Sequence, residues 1–433
     1  MDEKTQRPEF LRLVFTSILG KTYSIELAYD RVDEVFADGV YFDGSSVKGY
    51  ENVNSSDLLL RPVSNKPLYT KWDPLMEIVP CAVYKTDGSP HPRDPIQILR
   101  KVTDESEKVG YRMIAGFELE FFLVKTNGDN TIEPADKGGY FMTPPVDGGL
   151  DFRRKVILSL GGMGIRATTH HHEVATGQHE IGLHHESAVE VATSLMLTRI
   201  AIAEIAYRHG LTATFMPKPF FGINGSGMHI HQSLWSEDGT RNLFATEHPS
   251  EISELAYNYA AGILSHAKAL SALVAPTVNS FKRLVPGYEA PTRIAWGPKN
   301  RTTMLRIPHF NGSEKRARIE FRCPDPSCSP HLALAGILAA GVSGIEEELV
   351  PPTPTDKDLF HETSDVDSLP GSLADALEAL RNNSHLIDAL GTEAIKTYLT
   401  LKETEWSRYV ESTGDPGPFE VTRWEIEEYL HCN

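Results

Sequence analysis

Carboxylates standing two residues apart inside strongly apolar runs constrain this chain more than any other feature. In GFELEFFLV, residues 116–124, Glu118 and Glu120 are embedded among Phe, Leu and Val. A run of that composition reads as a strand buried on at least one face, and side chains at i and i+2 of a strand share a face. Glu118 and Glu120 therefore point the same way, with Leu119 opposite. His229 and His231 in GMHIHQS repeat the pattern, as do Glu320 and Arg322 in RIEFRC. Alternating charge usually marks a solvated strand face. These strands are too apolar for that to suffice, and a glutamate buried without a partner is costly. Several such pairs together predict a sheet on which buried carboxylates are satisfied by a bound cation.

The stretch HHHEVATGQHE, residues 170–180, adds Glu173 and Glu180 on either side of ATGQ, a bend that would return both carboxylates to one site. Glutamates with one or two histidines and no cysteine form a hard donor set, which favours Mg²⁺ or Mn²⁺ over zinc. HHHE does not match the HExxH pattern of zinc proteases. Magnesium in a carboxylate cage commonly serves phosphates, hence ATP, yet neither GxxxxGK[ST] nor GxGxxG is present. A basic group follows: Arg283, Arg301, Arg306, Lys315, Arg318 and Arg322 all fall between residues 283 and 322. In a chain of formal net charge −17, arginines beside apolar strands call for anionic partners such as phosphate or carboxylate. Structural salt bridges account for some of them.

The acidic balance argues against a general nucleic-acid binder. No apolar run reaches the roughly 18 residues of a membrane span. The N-terminal MDEKTQRPEF lacks an apolar leader core, and Cys81, Cys323, Cys328 and Cys432 lack CxxC spacing. Both fit a reduced, cytoplasmic protein. Short β-like runs between residues 10 and 90 predict a small sheet-rich domain, and the turn-rich TDGSPHPRDP predicts its boundary, giving domains 1–92 and 93–433. Helices are expected over 95–110, 187–210 and 330–349, the last with Ser329 as N-cap, and through the C-terminal third. LTATFMPKP reads as a strand. The large domain is α+β.

With FDGSS, GFELEFFL, GGYFMTPPVD, HHHEVATGQHE, FMPKPFFGINGSGMHIHQSLW, FKRLVPGYEAP, NRTTMLRIP and RIEFRCPDP in that order, the chain resembles class I glutamine synthetase over nearly its whole length, in the non-adenylylated, alpha-like subtype. The resemblance implies a β-grasp N-terminal domain and a catalytic domain with a curved antiparallel sheet and surrounding helices. It implies a homododecamer of two hexameric rings with active sites between neighbouring subunits. Glu120, Glu173 and Glu180 would hold one metal, and Glu118, His229 and Glu320 another. His170, His171, His172 and His179 are not expected to be ligands.

The reaction implied is ligation of ammonia to the γ-carboxyl of L-glutamate through γ-glutamyl phosphate, with ATP as co-substrate. Arg283 and Arg322 would grip the substrate carboxylates, Asn224 and Gly225 would position its amino-acid end, and Arg301 would stabilise phosphoryl transfer. His231, Ser233, Arg306, Lys315 and Arg318 fall at nucleotide-contacting positions. Asp43, from the neighbouring subunit, would deprotonate ammonium in a pocket lined by Ser46, Tyr140 and Glu173. Glu289 would sit on a flap shielding the acyl phosphate from water.

Thr168, His184 and Asn52 depart from residues common in the family, at nucleotide contacts for the first two and at a feedback contact for the third. Phe360, in DKDLFHETSD, stands where some members carry an adenylylated tyrosine, and it has no hydroxyl to modify. Control is then expected from small effectors or a partner protein. Two competing readings are weighed. A γ-glutamyl ligase acting on a primary amine or polyamine would share every metal and glutamate residue, and the ammonium-pocket residues discriminate against it. A catalytically dead homologue would have lost ligands, and none of the six is lost.

Overall fold

The computed structural model describes residues 7–127, 131–247, 251–310, 313–362 and 365–431. The first sheet contains β1 (Phe10–Thr16), β2 (Thr22–Ala28), β3 (Val40–Asp43), β4 (Asp57–Pro62), β5 (Leu68–Tyr69) and β6 (Met76–Lys85), with α1 (Val32–Asp38) between β2 and β3. Its order is β2-β1-β6-β4-β3, with β5 on β6; β1 and β6 run parallel and the other pairs antiparallel. Leu11, Leu13 and Phe15 alternate into a core with Val35, Leu58, Leu60, Val79 and Val83. Val14, Met76 and Ile78, on the opposite face, join the main core of the molecule. Burial on both faces explains why MEIVPCAVYK is apolar almost throughout.

The second sheet is built on β7 (Arg112–Thr126), which spans 15 residues. The others are β8 (Ile132–Pro134), β9 (Ala167–His172), β10 (Gln178–Leu183), β11 (Glu186–Ser187), β12 (Thr212–Thr214), β13 (Met228–Trp235), β14 (Trp296–Pro298), β15 (Leu305–Ile307) and β16 (Ile319–Phe321). The order is β14-β15-β16-β13-β7-β10-β9, with β8, β11 and β12 also on β7. Every pairing in it is antiparallel except β14 with β15.

Helices back this sheet: α2 (Pro95–Lys108), α3 (Leu150–Gly162), α4 (Ala188–Arg208), α5 (Glu254–Ser265), α6 (Ala267–Val274), α7 (Ser280–Arg283) and α8 (Pro330–Glu346). α8 is buried almost all round, and its first turn is capped by Ser329, whose Oγ accepts from Leu332 N–H at 3.4 Å. Gly341 and Gly344 lie so close to Tyr259 and Gly262 of α5 that no Cβ would fit. Among the described residues, α9 (Leu373–Arg381), α10 (Ser384–Leu390), α11 (Thr392–Thr413) and α12 (Arg423–Tyr429) follow.

The expected strand LTATFMPKP shrinks to Thr212–Thr214. Pro217 and Pro219 have no amide hydrogen to continue a ladder. The segment instead runs inward, where Lys218 N–H donates to Asn279 Oδ1 at 2.7 Å and Asn279 Nδ2 donates back to Lys218 O at 2.9 Å.

Candidate functional site

The register of the large sheet gathers the paired residues into one row. His229 on β13 lies opposite Glu118 on β7. Glu120 lies opposite Glu180 on β10, and Glu118 opposite Gly182. Glu180 in turn lies opposite His171 on β9. On the other flank His231 lies opposite Glu320 on β16, and Glu320 opposite Arg306 on β15. Directly opposed residues project from the same face, so the pleat itself assembles the row. Gly182 leaves its position empty beside Glu118; a Cβ there would meet the Thr168 and Thr169 hydroxyls at 2.7 Å. Glu173 arrives from the turn joining β9 to β10, closed by Glu173 N–H on Gln178 O at 2.8 Å with Gly177 at φ 71.

These side chains open into a cleft of about 1030 Å³. Glu118, Glu120, Glu173, Glu180 and His229 line it, with Tyr140, Asn224, Gly225, Arg283, Glu289, Arg301 and Arg322. Glu320 lies 1% exposed beneath them, clamped by Arg306 and by Arg322 Nη1 at 2.7 Å. His231 Nε2 bonds Glu118 Oε1 at 2.8 Å, and its Nδ1 accepts from Arg318 Nε at 3.1 Å. Ser233 is buried and accepts from Trp235 Nε1 at 3.0 Å. Lys315 is exposed in a short turn before β16. Asp43 and Ser46 do not line the cleft of their own chain. Asp43 caps a surface turn, accepting from Ser45 N–H at 2.9 Å and from the Ser46 hydroxyl at 2.7 Å. Those bonds hold its carboxyl below the usual range.

Arg283 is nearly fully buried and spends its guanidinium on the carbonyls of Cys323 at 2.8 Å, Pro324 at 3.3 Å and Arg322 at 3.1 Å. It braces the loop after β16 and presents positive charge to Glu120 from behind. Gly227 gives it room: a Cβ there would lie 2.6 Å from Arg283 Nη2.

Two groups of three donors, each with atoms within 4.8 Å of one another, suit a cation: Glu118, His229 and Glu320, and His171, Glu173 and Glu180. His171 was not expected there. Its Nε2 lies 3.3 Å from Glu180 and its Nδ1 3.6 Å from Glu173. The signal for it is the hairpin around ATGQ, whose pairing sets His171 opposite Glu180. Gln178 was missed too, although it shares a face with Glu180 at i−2; its amide donates to Glu120 Oε2 at 3.1 Å and to Gly225 O at 3.0 Å.

Burial raises Glu120 well above the usual carboxylate range, and repulsion from Glu173 and Glu180 adds to it. Burial and Glu180 push Glu173 up to about 7. Burial acts the same way on Glu118, but hydrogen bonds from His229 and His231 overcome it and hold that carboxyl far below the usual range.

A third cluster, Asp136, His172 and His179, also brings its donor atoms within 4.8 Å of one another. Hydrogen bonding rules it out as a metal site. Arg153 Nη1 donates to His179 Nδ1 at 2.7 Å, which leaves the proton of that ring on Nε2 and no lone pair for an ion. His172 lies between two acceptors, Asp136 Oδ1 at 2.9 Å and Glu173 O at 2.7 Å, so both its nitrogens carry protons. With the Arg153–Asp147 ion pair at 2.7 Å, the cluster is a buried strut joining the Tyr140 segment to the Glu173 hairpin. The histidines of HHHE thus divide, His172 structural and His171 beside the carboxylates.

Residues 92–429 match the family described as glutamine synthetase, catalytic domain, and residues 7–86 match glutamine synthetase, beta-Grasp domain. A glutamine synthetase of Methanococcus maripaludis is 40% identical over 99% of this chain and 97% of its own length. One from Thermococcus kodakarensis is 41% identical over 98% and 96%. Among solved structures, a GmaS/ADP complex superposes with a TM-score of 0.87 at 30% identity, covering 98% of this chain and 97% of the other. Two family matches spanning nearly the whole chain, and full-length relatives at this identity, place it: the chain belongs to the glutamine synthetase family.

Proposed function

We propose that the chain is an ATP-dependent ligase that joins ammonia to the γ-carboxyl of L-glutamate, releasing glutamine, ADP and phosphate. The observation that carries this is the row of carboxylates and histidines on one sheet face, opening into a cleft that Arg301 and Arg322 also line. The donor set fits divalent ions: Glu120, Glu173 and Glu180 repel one another in a buried site, a configuration short of positive charge. Glu120, Glu173 and Glu180, with His171 beside them, would hold one Mg²⁺ or Mn²⁺, and Glu118, His229 and Glu320 another. Such ions supply neutralisation of phosphate charge and orientation of the γ-phosphoryl group.

The chain's own residues do the rest. Arg322 grips a substrate carboxylate and Arg283 supports it from behind, while Asn224 and Gly225 hold the amino-acid end. Arg301 offsets charge as the γ-phosphoryl moves to the glutamate side chain. His231, Ser233, Arg306, Lys315 and Arg318 serve the nucleotide. Ammonia then attacks the acyl carbon and phosphate leaves. Asp43, kept anionic by its own turn, takes the ammonium proton with Ser46, Tyr140 and Glu173 around it.

Asp43 and Ser46 stand outside their own chain's cleft, which supports a site completed by a neighbour. We extend the proposal to two stacked hexameric rings in the cytoplasm, with domains 1–92 and 93–433. No helix among the described residues is long and apolar enough to cross a membrane.

The test is phosphate release from ATP and glutamate with ammonium, then with methylamine, ethanolamine and putrescine, with product masses. Glutamine is expected; turnover with an amine and none with ammonium would favour the other acceptor class. Co-assembled Asp43→Ala and Arg301→Ala subunits should recover activity that neither has alone. Verified mixed oligomers without activity would place Asp43's action within its own chain.

A further inference from the structure

Lys218 is 0% exposed, and among the described residues it has no carboxylate partner. Lysine is rarely buried unpaired, so its contacts bear on its role. Nζ donates to Ile223 O and sits 3.5 Å from the centroid of the Tyr288 ring. Burial, then Arg283, pushes the ammonium down to about 8, which leaves it charged at neutral pH.

The two residues it fixes have telling neighbours. Ile223 precedes Asn224, Tyr288 precedes Glu289, and Asn224 Nδ2 donates to Glu289 Oε2 at 3.0 Å. One ammonium therefore anchors the residue before each end of that bond. The lysine itself cannot drift, because Asn279 clamps its main chain on both sides and is tied to Glu425 Oε1 at 2.8 Å. The rest of the segment it holds lies at the surface: Pro286, Gly287 and Glu289 are exposed, and Glu289 adopts φ 56, a left-handed conformation that costs a glutamate energy. Tyr288 alone turns inward, with the Phe221 ring edge-on at 6.2 Å. A cation on an aromatic face is strongest when desolvated, as here.

We propose that Lys218 is a positioning residue that latches residues 286–289 over the cleft through Tyr288, holding Glu289 on Asn224 and water away from the acyl phosphate. This rests on the reading of the cleft as the place where γ-glutamyl phosphate forms. With the latch lost, a water oxygen attacks the acyl carbon and the carbon–oxygen bond to phosphate breaks. Phosphate leaves with the bonding electrons, the water's protons pass to solvent, and glutamate is regenerated. The net reaction is ATP plus water to ADP plus phosphate.

The measurement is phosphate released per glutamine formed, at saturating ATP and glutamate and limiting ammonium. The wild-type ratio should lie near one. Lys218→Met and Tyr288→Leu should each raise the excess of that ratio over one about thirtyfold, the population change expected for one desolvated cation–π contact. Tyr288→Phe, which keeps the ring face, should hold the wild-type ratio, and the double variant should exceed neither single change. An excess over one no larger than the wild type's in assembled Lys218→Met overturns the latch. If Lys218→Met does not assemble, Tyr288→Leu against Tyr288→Phe decides the matter, because Tyr288 is only half-buried. A wild-type protein that forms product with none of the acceptors refutes the ligase reading itself, and the latch falls with it.

Discussion

The two ends of the ligand row follow opposite electrostatic plans. At one end, burial would raise Glu320, but His231, Arg322, His229 and Arg306 overcome it and hold the carboxyl at about 2. Glu118 is likewise held down by its two histidines. This end is charge-balanced by the folded chain alone. At the other end, Glu120 and Glu173 are raised by burial and by their carboxylate neighbours. Strand pairing has put Glu120 directly opposite Glu180, where like charges destabilise the sheet. The contrast teaches that one half of the site is scaffold as well as ligand, while the other is strained until positive charge is added.

The largest effect should come from relieving the strained half. Glu120→Gln should lower ligase activity by more than about 10²-fold while raising the melting temperature of the metal-free protein. Wild-type activity at low Mg²⁺ would remove Glu120 from the ligand set. In the balanced half the sign reverses. Glu320→Gln leaves Arg306 and Arg322 without their buried partner and should destabilise the fold by about 3 kcal/mol, with or without metal, in denaturant titrations. A loss seen only with metal present would show that the two halves do not differ as described.

A smaller change separates them by ligand. Mg²⁺ at about 100 times its dissociation constant should stabilise the wild type by about 2.7 kcal/mol, and the gain should shrink sharply in Glu120→Gln. An equal thermal shift in both proteins would place the ion elsewhere.

The smallest effect is a pH slope in the metal-free protein. Glu173 has its folded pKa raised to about 7, so its contribution is fully present below the unfolded value near 4.5 and is lost as pH rises through about 7. Glu320, held at about 2, works in the opposite sense, losing its contribution only as pH falls through that value. Between pH 5 and pH 8, chelator-treated protein should lose about 2 kcal/mol, and Glu173→Gln should flatten that slope. A slope unchanged in the variant would assign it to other groups.

Much of this was legible in the chain because a strand's period of two is written directly in its residues. Glu118, Glu120, His229 and Glu320 were placed on shared faces from spacing alone, and the register then supplied the partners. The apolar run of β7 and the terminal signals of α2, α4 and α8, Pro95, Gly210, Ser329 and Pro330 among them, carried those long elements. Local pattern failed where long-range contact overrode local preference. LTATFMPKP has strand-like residues, but its prolines and the Asn279 clamp turn it into a buried connection. His171 and His172 are adjacent in the same HHH run, and nothing local says which faces the carboxylates; pairing with β10 decides it. Lys218 gave no sign of itself, because its partners are a carbonyl and a ring rather than a charge.

Cys81, Cys323 and Cys328 are all fully buried free thiols. Burial pushes Cys323 up to about 12, and the other two higher still, so none is a thiolate at neutral pH. A thiol in that state ignores alkylating reagents until the surrounding structure opens. Labelling rates therefore become clocks for local opening. Cys81 times the β1–β6 sheet, while Cys323, whose carbonyl accepts from Arg283, times the brace behind Glu120. A substrate or ion that slows the second clock and leaves the first running would be acting on the cleft alone, and one that slows both would be tightening the whole subunit.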